Sequence, residues 1–283
     1  MAVSEVELSF EFFPPRADKG AAALLRVNAE LAAFEPEFVS VTFGAGGSTQ
    51  QGTYEAVKSM IEAGSVVAPH LTCIGTSEQY VSEIIESYLD LGVQRLVVLR
   101  GDPPGGMVDR GDFPYASELV AFIRAEFGDQ LHLEVAAYPD FHPEARNPQA
   151  DLENFKRKID AGANSALTQY FFNADSYFAF LDDVTRMGVE VPIIPGIMPI
   201  TNYATLSRFS DACGAELPRW IRARLAQYQD DPQSLREFGL DVVTHLCLDL
   251  LDNGVPGLHF YALNKTEPVA ELCRRIGFTP ASQ

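Results

Sequence analysis

A carboxylate at the end of a strand, enclosed by aromatic rings, is a group whose proton affinity a protein can set. Glu11 has that setting: Val6, Leu8, Phe10 and Phe12 alternate with Glu7, Ser9 and Glu11 until Pro14 and Pro15, which have no N–H to donate, stop the ladder. Desolvation among Phe10, Phe12 and Phe13 disfavours the charged form, so Glu11 is expected to have a raised pKa and to donate a proton near neutral pH. Read from this strand alone, an outward-facing structural glutamate is the alternative, because structural carboxylates are perturbed too.

Other groups able to do chemistry recur at strand ends. Arg100-Gly-Asp102 pairs a cation with a carboxylate before a loop rich in glycine and proline, and a salt bridge pinning that loop is the plain alternative. Gln169-Tyr-Phe-Phe172 sets one amide among aromatics, suited to a planar ligand whose edge needs both donor and acceptor. Asp151, Asn154 and Lys158 share one face of a helix beside Arg157; a solvated face explains the spacing, but this is the densest basic cluster of an acidic chain. Gly44-Ala-Gly-Gly-Ser-Thr49 joins a strand to a helix without the lysine of a phosphate-binding loop, so its small residues are expected to let backbone approach something flat.

The elements that must position these groups follow a strand-then-helix rhythm. The strands are expected at Val6–Phe12, Phe38–Phe43, Val66–Thr72, Arg95–Leu99, Leu131–Ala137, Ser165–Tyr170, Val191–Pro195 and Gly257–Leu263. Helices follow each of them; Thr76 and Gln79 have the spacing of a capping box, and 218–253 reads as inserted helices before the last strand. Eight units in 283 residues, with strands too apolar to alternate cleanly, fit a single-domain α/β fold, a parallel eight-stranded (β/α)8 TIM barrel. In such a barrel the strand C-termini carry the active site, which collects Glu11, Thr42, His70, Arg100, Asp102, Tyr138, Gln169, Tyr261, Asn264 and Lys265 on one rim. A rim of mixed polar groups suits a large organic ligand.

Composition narrows the partners. The net charge of −18, from 39 acidic against 21 basic residues, argues against nucleic acid or an anionic membrane surface. No apolar run reaches the roughly 20 residues of a membrane span, and no export segment opens the chain, so a cytoplasmic location is expected. Cys73, Cys213, Cys247 and Cys273 are too scattered for a metal motif and read as reduced, buried thiols; no metal is expected.

Phe10-Glu-Phe-Phe-Pro-Pro-Arg16, Val41-Thr-Phe-Gly-Ala-Gly-Gly-Ser48, Ala68-Pro-His-Leu-Thr-Cys73, Leu99-Arg-Gly-Asp102, Lys156-Arg-Lys-Ile-Asp-Ala-Gly-Ala163, Thr168-Gln-Tyr-Phe-Phe172, Pro195-Gly-Ile-Met-Pro199 and His259-Phe-Tyr-Ala-Leu-Asn264 together resemble methylenetetrahydrofolate reductase of the bacterial, single-domain type, over essentially the whole chain. The resemblance implies a flavoprotein whose FAD carries hydride from NADH or NADPH to 5,10-methylenetetrahydrofolate, giving 5-methyltetrahydrofolate for methionine synthesis. It implies Glu11 as general acid and Asp102 as a catalytic carboxylate near flavin and pterin. Gln169, Phe209, Tyr261 and Lys265 become substrate contacts; Lys265 stands where relatives often have arginine, and loses the bidentate fork. FAD contacts fall on Thr42, His70, Arg100, Tyr115, Ala116, Tyr138, Asp151, Asn154, Arg157 and Lys158. Self-association and the absence of a C-terminal regulatory domain are also implied. The competing functions are a related pterin-binding barrel that moves one-carbon units without flavin, and a folate- or flavin-binding module without turnover.

Overall fold

Short apolar strands can bury both faces only if helices cover one side and strand partners close the other. The computed structural model, which describes residues 6–15, 18–43, 50–102 and 111–281, solves this as a nearly closed parallel barrel. In chain order the elements are β1 (Glu7–Phe12), α1 (Asp18–Ala32), β2 (Phe38–Val41), α2 (Gln50–Glu62), β3 (Val67–Thr72), α3 (Glu78–Asp90), β4 (Arg95–Leu99), α4 (Ala116–Phe127), β5 (His132–Ala137) and α5 (Pro148–Asp160). There follow β6 (Ser165–Thr168), α6 (Ala174–Arg186), β7 (Ile193–Ile194), β8 (Gly196–Ile197), α7 (Tyr203–Cys213), α8 (Arg219–Gln227), α9 (Pro232–Asp252), β9 (Gly257–Tyr261) and α10 (Val269–Arg275).

The sheet order is β7-β6-β5-β4-β3-β2-β1-β9-β8, so its two edges are consecutive in the chain and separated only by Pro195. The seventh strand, expected to stop at Pro195, instead runs on past the proline: β7 lies inside the expected range and β8 beyond it. Pro195 cannot donate to a ladder, and the seam is stitched by other means: Gly196 N–H donates to Thr168 Oγ1 at 2.8 Å, and Tyr261 Oη donates to Thr168 O at 2.8 Å. A Cβ at Gly196 would sit 2.2 Å from Thr168 O, so only glycine lets the chains approach this closely.

Local signals account for most helix starts. Asn147, Asn173 and Asn202 accept from the N–H groups of Ala150, Asp175 and Thr205 to cap α5, α6 and α7. The capping box at Thr76 and Gln79 is not formed: Ser77 caps α3, Thr76 donates to Cys73 O, and Gln79 donates to Glu83. The serine wins because it stands directly before the first helical residue. The loop at 44–49 and most of the glycine- and proline-rich stretch after Asp102 lie outside the described residues.

Strand alternation divides the core in two. Leu8, Phe10 and Phe12 belong to the large cluster between strands and helices, whereas Phe38, Ala68, Val97, Leu167 and Ile194 form a small cluster within the barrel. Ser9 and Glu11 take the inward face with this second group. The aromatic enclosure expected for Glu11 is therefore corrected: Phe10 and Phe12 point to the opposite side of β1.

Candidate functional site

Histidines stand beside the Glu11 carboxylate where Phe10 and Phe12 were expected. Its Oε2 lies 3.3 Å from His70 Nε2 on β3 and 3.7 Å from His259 Nε2 on β9. Both nitrogens are buried, and neither makes an aligned hydrogen bond among the described residues. Ser9 Oγ is 2.7 Å from His259 Nδ1 and orients that ring from below. Burial alone pushes the Glu11 carboxyl up, but the charge of His70 and the contacts with both imidazoles outweigh it and hold the pKa at about 2. The expectation of a raised value is thus overturned: the carboxylate is ionised beside two imidazoles.

Above this cluster opens a cleft of about 540 Å³, lined by Glu11, Asp102, Tyr138, Gln169, Phe209 and Tyr261 among others. Residues from β1, β9, α7 and the strand ends after β4, β5 and β6 thus converge as the barrel topology requires. Asp102 is exposed on the rim, and Phe209 is 37% exposed on α7. Gln169 Oε1 accepts the N–H of Tyr170, which leaves its Nε2 to donate. Burial and the charge of Asp102 push Tyr138 to about 12, and burial with the charge of Glu11 raises Tyr261, so both phenols stay protonated.

Basic groups gather at one side. Arg100 donates to Glu144 Oε2 at 2.7 Å and to Gly101 O, so its bonded partner is Glu144, correcting the expected pairing with Asp102. Lys158 donates to Ala136 O; burial lowers its pKa to about 8, opposed by Asp151. Asp151 accepts the N–H of His142 at 2.9 Å, while burial and the Arg100 charge push the His142 imidazole down. An anion placed here would meet cations whose charge burial has made costly, so this donor set fits a phosphate-bearing cofactor.

The remaining expected residues are less convergent. Thr42 follows β2 and its carbonyl accepts from Thr53. Tyr115 caps α4 and is exposed, with Ala116 as the first helical residue. Asn154 and Arg157 bond each other at 2.6 Å on the outer part of α5, and Lys265 is exposed and does not line the cleft. His259, Ser9, His142 and Glu144 were not singled out from the sequence. Strand parity could have found the first two, since Ser9 and His259 share the inward parity of Glu11 and Tyr261 on paired strands. Nothing local marks His142 or Glu144, which reach the cleft from the loop after β5.

Among the described residues no group of three or more His, Cys, Asp or Glu is arranged to hold a metal ion, and no helix is long and apolar enough to cross a membrane.

A family model described as methylenetetrahydrofolate reductase matches residues 1–277. The 5,10-methylenetetrahydrofolate reductase of Pectobacterium carotovorum subsp. carotovorum is 39% identical over 278 residues, covering 97% of this chain and 91% of the relative. Methylenetetrahydrofolate reductase (NADH) 1 of Zea mays is 34% identical, covering 97% of this chain and 49% of the plant protein. Among solved structures, a Clostridium thermocellum protein that binds two copies of 5-methyl-5,6,7,8-tetrahydrofolic acid aligns with a TM-score of 0.66 at 14% identity, over 96% of this chain and 94% of that one, a likeness of fold.

Proposed function

The chain belongs to the methylenetetrahydrofolate reductase family, and we propose that it performs that reduction as an FAD-dependent enzyme fed by NADH or NADPH, converting 5,10-methylenetetrahydrofolate to 5-methyltetrahydrofolate. The observation that carries this reading is the single cleft into which Glu11, Asp102, Tyr138, Gln169, Phe209 and Tyr261 converge above two buried imidazoles.

When bound, the flavin supplies a two-electron carrier between nicotinamide and folate. Arg100 and Lys158 would hold its diphosphate, with Thr42, His70, Tyr115, Ala116, Tyr138, Asp151, Asn154 and Arg157 as the further contacts that the family resemblance assigns. The donor set described above supports that assignment, because cations with few solvent contacts gain most from a resident anion.

The proton chemistry belongs to Glu11. Opening the five-membered ring of the folate to an iminium ion requires a proton on the departing nitrogen. A carboxyl held at about 2 is empty at neutral pH, so a proton must reach Glu11 before it acts, and His70 and His259, with Ser9 behind the latter, are the side chains placed to pass it on. Asp102, negative on the cleft rim, favours the cationic intermediate electrostatically. Gln169 offers Nε2 to the pterin edge, and Phe209 and Tyr261 offer rings to its face. Folate and nicotinamide dinucleotide are the small-molecule partners, and the setting implied by the resemblance is a cytoplasmic homo-oligomer contributing to methionine synthesis.

The test is anaerobic stopped-flow absorbance of FAD-loaded protein mixed first with NADH or NADPH and then with methylenetetrahydrofolate. Bleaching by one nucleotide followed by recovery on folate addition is expected and names the donor. Purified protein that neither carries nor takes up flavin, yet transforms the folate, would instead favour a flavin-independent one-carbon transfer.

A further inference from the structure

Phe13 is followed by Pro14 and Pro15, so the β1–β9 ladder, whose last paired residues are Glu11 and Tyr261, meets no backbone donor on the β1 side beyond Phe13. A side chain continues it instead. The N–H of Phe13 donates to Asn264 Oδ1 at 2.8 Å, and Asn264 Nδ2 donates to Phe13 O at 2.9 Å. The asparagine amide thus imitates a neighbouring peptide group across 251 positions of sequence.

Asn264 is held for this task by an unusual turn. Leu263 and Asn264 both adopt φ of 52°, the left-handed region that costs most residues energy and that asparagine tolerates better than most. Lys265 N–H closes the turn on Ala262 O at 2.9 Å, and Ala262 N–H donates to Glu11 O at 3.0 Å. Phe13 and Leu263, the residues that the clip and the turn hold, are walls of the cleft beside Glu11. Consecutive left-handed non-glycine residues persist only where their surroundings over-determine them, and such strain gathers at functional sites.

We propose that Asn264 is a positioning residue for the folate pocket: its amide clip fixes Phe13 and Leu263 as the two apolar walls flanking Glu11. Both properties of the residue are needed. Aspartate tolerates the same φ but only accepts, so it would lose the bond to Phe13 O and place charge against that carbonyl; glycine keeps the turn and removes the clip altogether. The geometry stands independently of the reductase reading, but the kinetic assay rests on it.

The experiment compares wild type with Asn264→Gly and Asn264→Asp by steady-state kinetics on methylenetetrahydrofolate, thermal melting, and amide hydrogen exchange at Phe13. In Asn264→Gly the folate KM is expected to rise about tenfold while kcat stays within about twofold, with Asn264→Asp between it and wild type. Exchange at Phe13 should quicken in both variants, and the melting temperature should fall by only a few degrees. A wild-type folate KM in Asn264→Gly overturns the proposal, as does a fall of kcat in step with melting temperature, which marks a purely structural role. Unchanged exchange at Phe13 also overturns it, since the clip would then not form in solution. Should the wild type leave the folate untouched, the reductase reading fails separately, and exchange at Phe13 alone decides whether the clip exists.

Discussion

Two glutamates face the barrel interior, Glu134 buried outright and Glu11 with 13% of its side chain exposed, and their surroundings are opposites. Glu134 on β5 lies toward the N-terminal ends of the strands with every need met: Arg95 Nη1 is 2.6 Å from Oε1, Ser165 Oγ donates to Oε2 at 2.5 Å, and His132 Nε2 stands 3.3 Å away. Glu11, further toward the C-terminal ends, has two imidazole nitrogens nearby that are buried without aligned partners. The Phe38 ring connects the two clusters, stacked on His259 at 6.0 Å and under the Arg95 guanidinium at 4.5 Å. Burial raises both carboxyls, yet partners leave both lowered: His132, Ser165 and Arg95 in one case, His70 and His259 in the other. A charge whose hydrogen bonds are complete contributes to holding the barrel together, whereas one with unpaired neighbours leaves hydrogen-bonding capacity to offer a ligand. That division matches the general rule that the bottom of such a barrel carries stability and the top carries chemistry.

The comparison can be broken most sharply at Glu11. Glu11→Gln is expected to slow folate-dependent reoxidation by about 10²- to 10⁴-fold, the worth of a general acid, and to change flavin reduction by NAD(P)H far less. Stopped-flow traces of the two half-reactions check this, and equal losses in both would remove the acid role. The mirror variant, Glu134→Gln, leaves Arg95 facing Glu37 alone, at 3.8 Å, and is expected to cost about 3 kcal/mol of stability in urea denaturation, with little effect on turnover.

A pH series sharpens the contrast. Because both folded-state values are depressed, both carboxylates contribute stability that is complete above about 4.5, the ordinary glutamate value. For Glu11 that contribution is lost as pH falls from about 4.5 through about 2. Acid unfolding followed by circular dichroism should therefore show a shallower loss in each glutamine variant than in wild type. The smallest effect is expected for Ser9→Ala, which frees His259 Nδ1: a few-fold drop in folate-dependent reoxidation with unchanged nucleotide affinity, measured in the same stopped-flow cycle. No change in that variant would detach Ser9 from proton delivery to Glu11.

Much of this architecture was legible in the chain itself. The eight-unit rhythm and the strand ends carrying Glu11, Asp102, Tyr138, Gln169 and Tyr261 follow from alternation and proline stops, which act over a few residues. Pro195 was readable as the end of a strand, but not as a seam that Gly196, Thr168 and Tyr261 repair.

The order of elements and the set of polar groups on the rim are local matters, because local propensity and period-two alternation need no distant partner. The state of Glu11 and the use of Asn264 come from the closed barrel. The first depends on which residues of β3 and β9 share its side of the barrel, and the shift is opposite to expectation because imidazoles stand where Phe10 and Phe12 were expected. The second depends on two residues 251 positions apart meeting when the barrel closes. Electrostatics and hydrogen bonding at that range are set by closure, and closure is not written in any one segment.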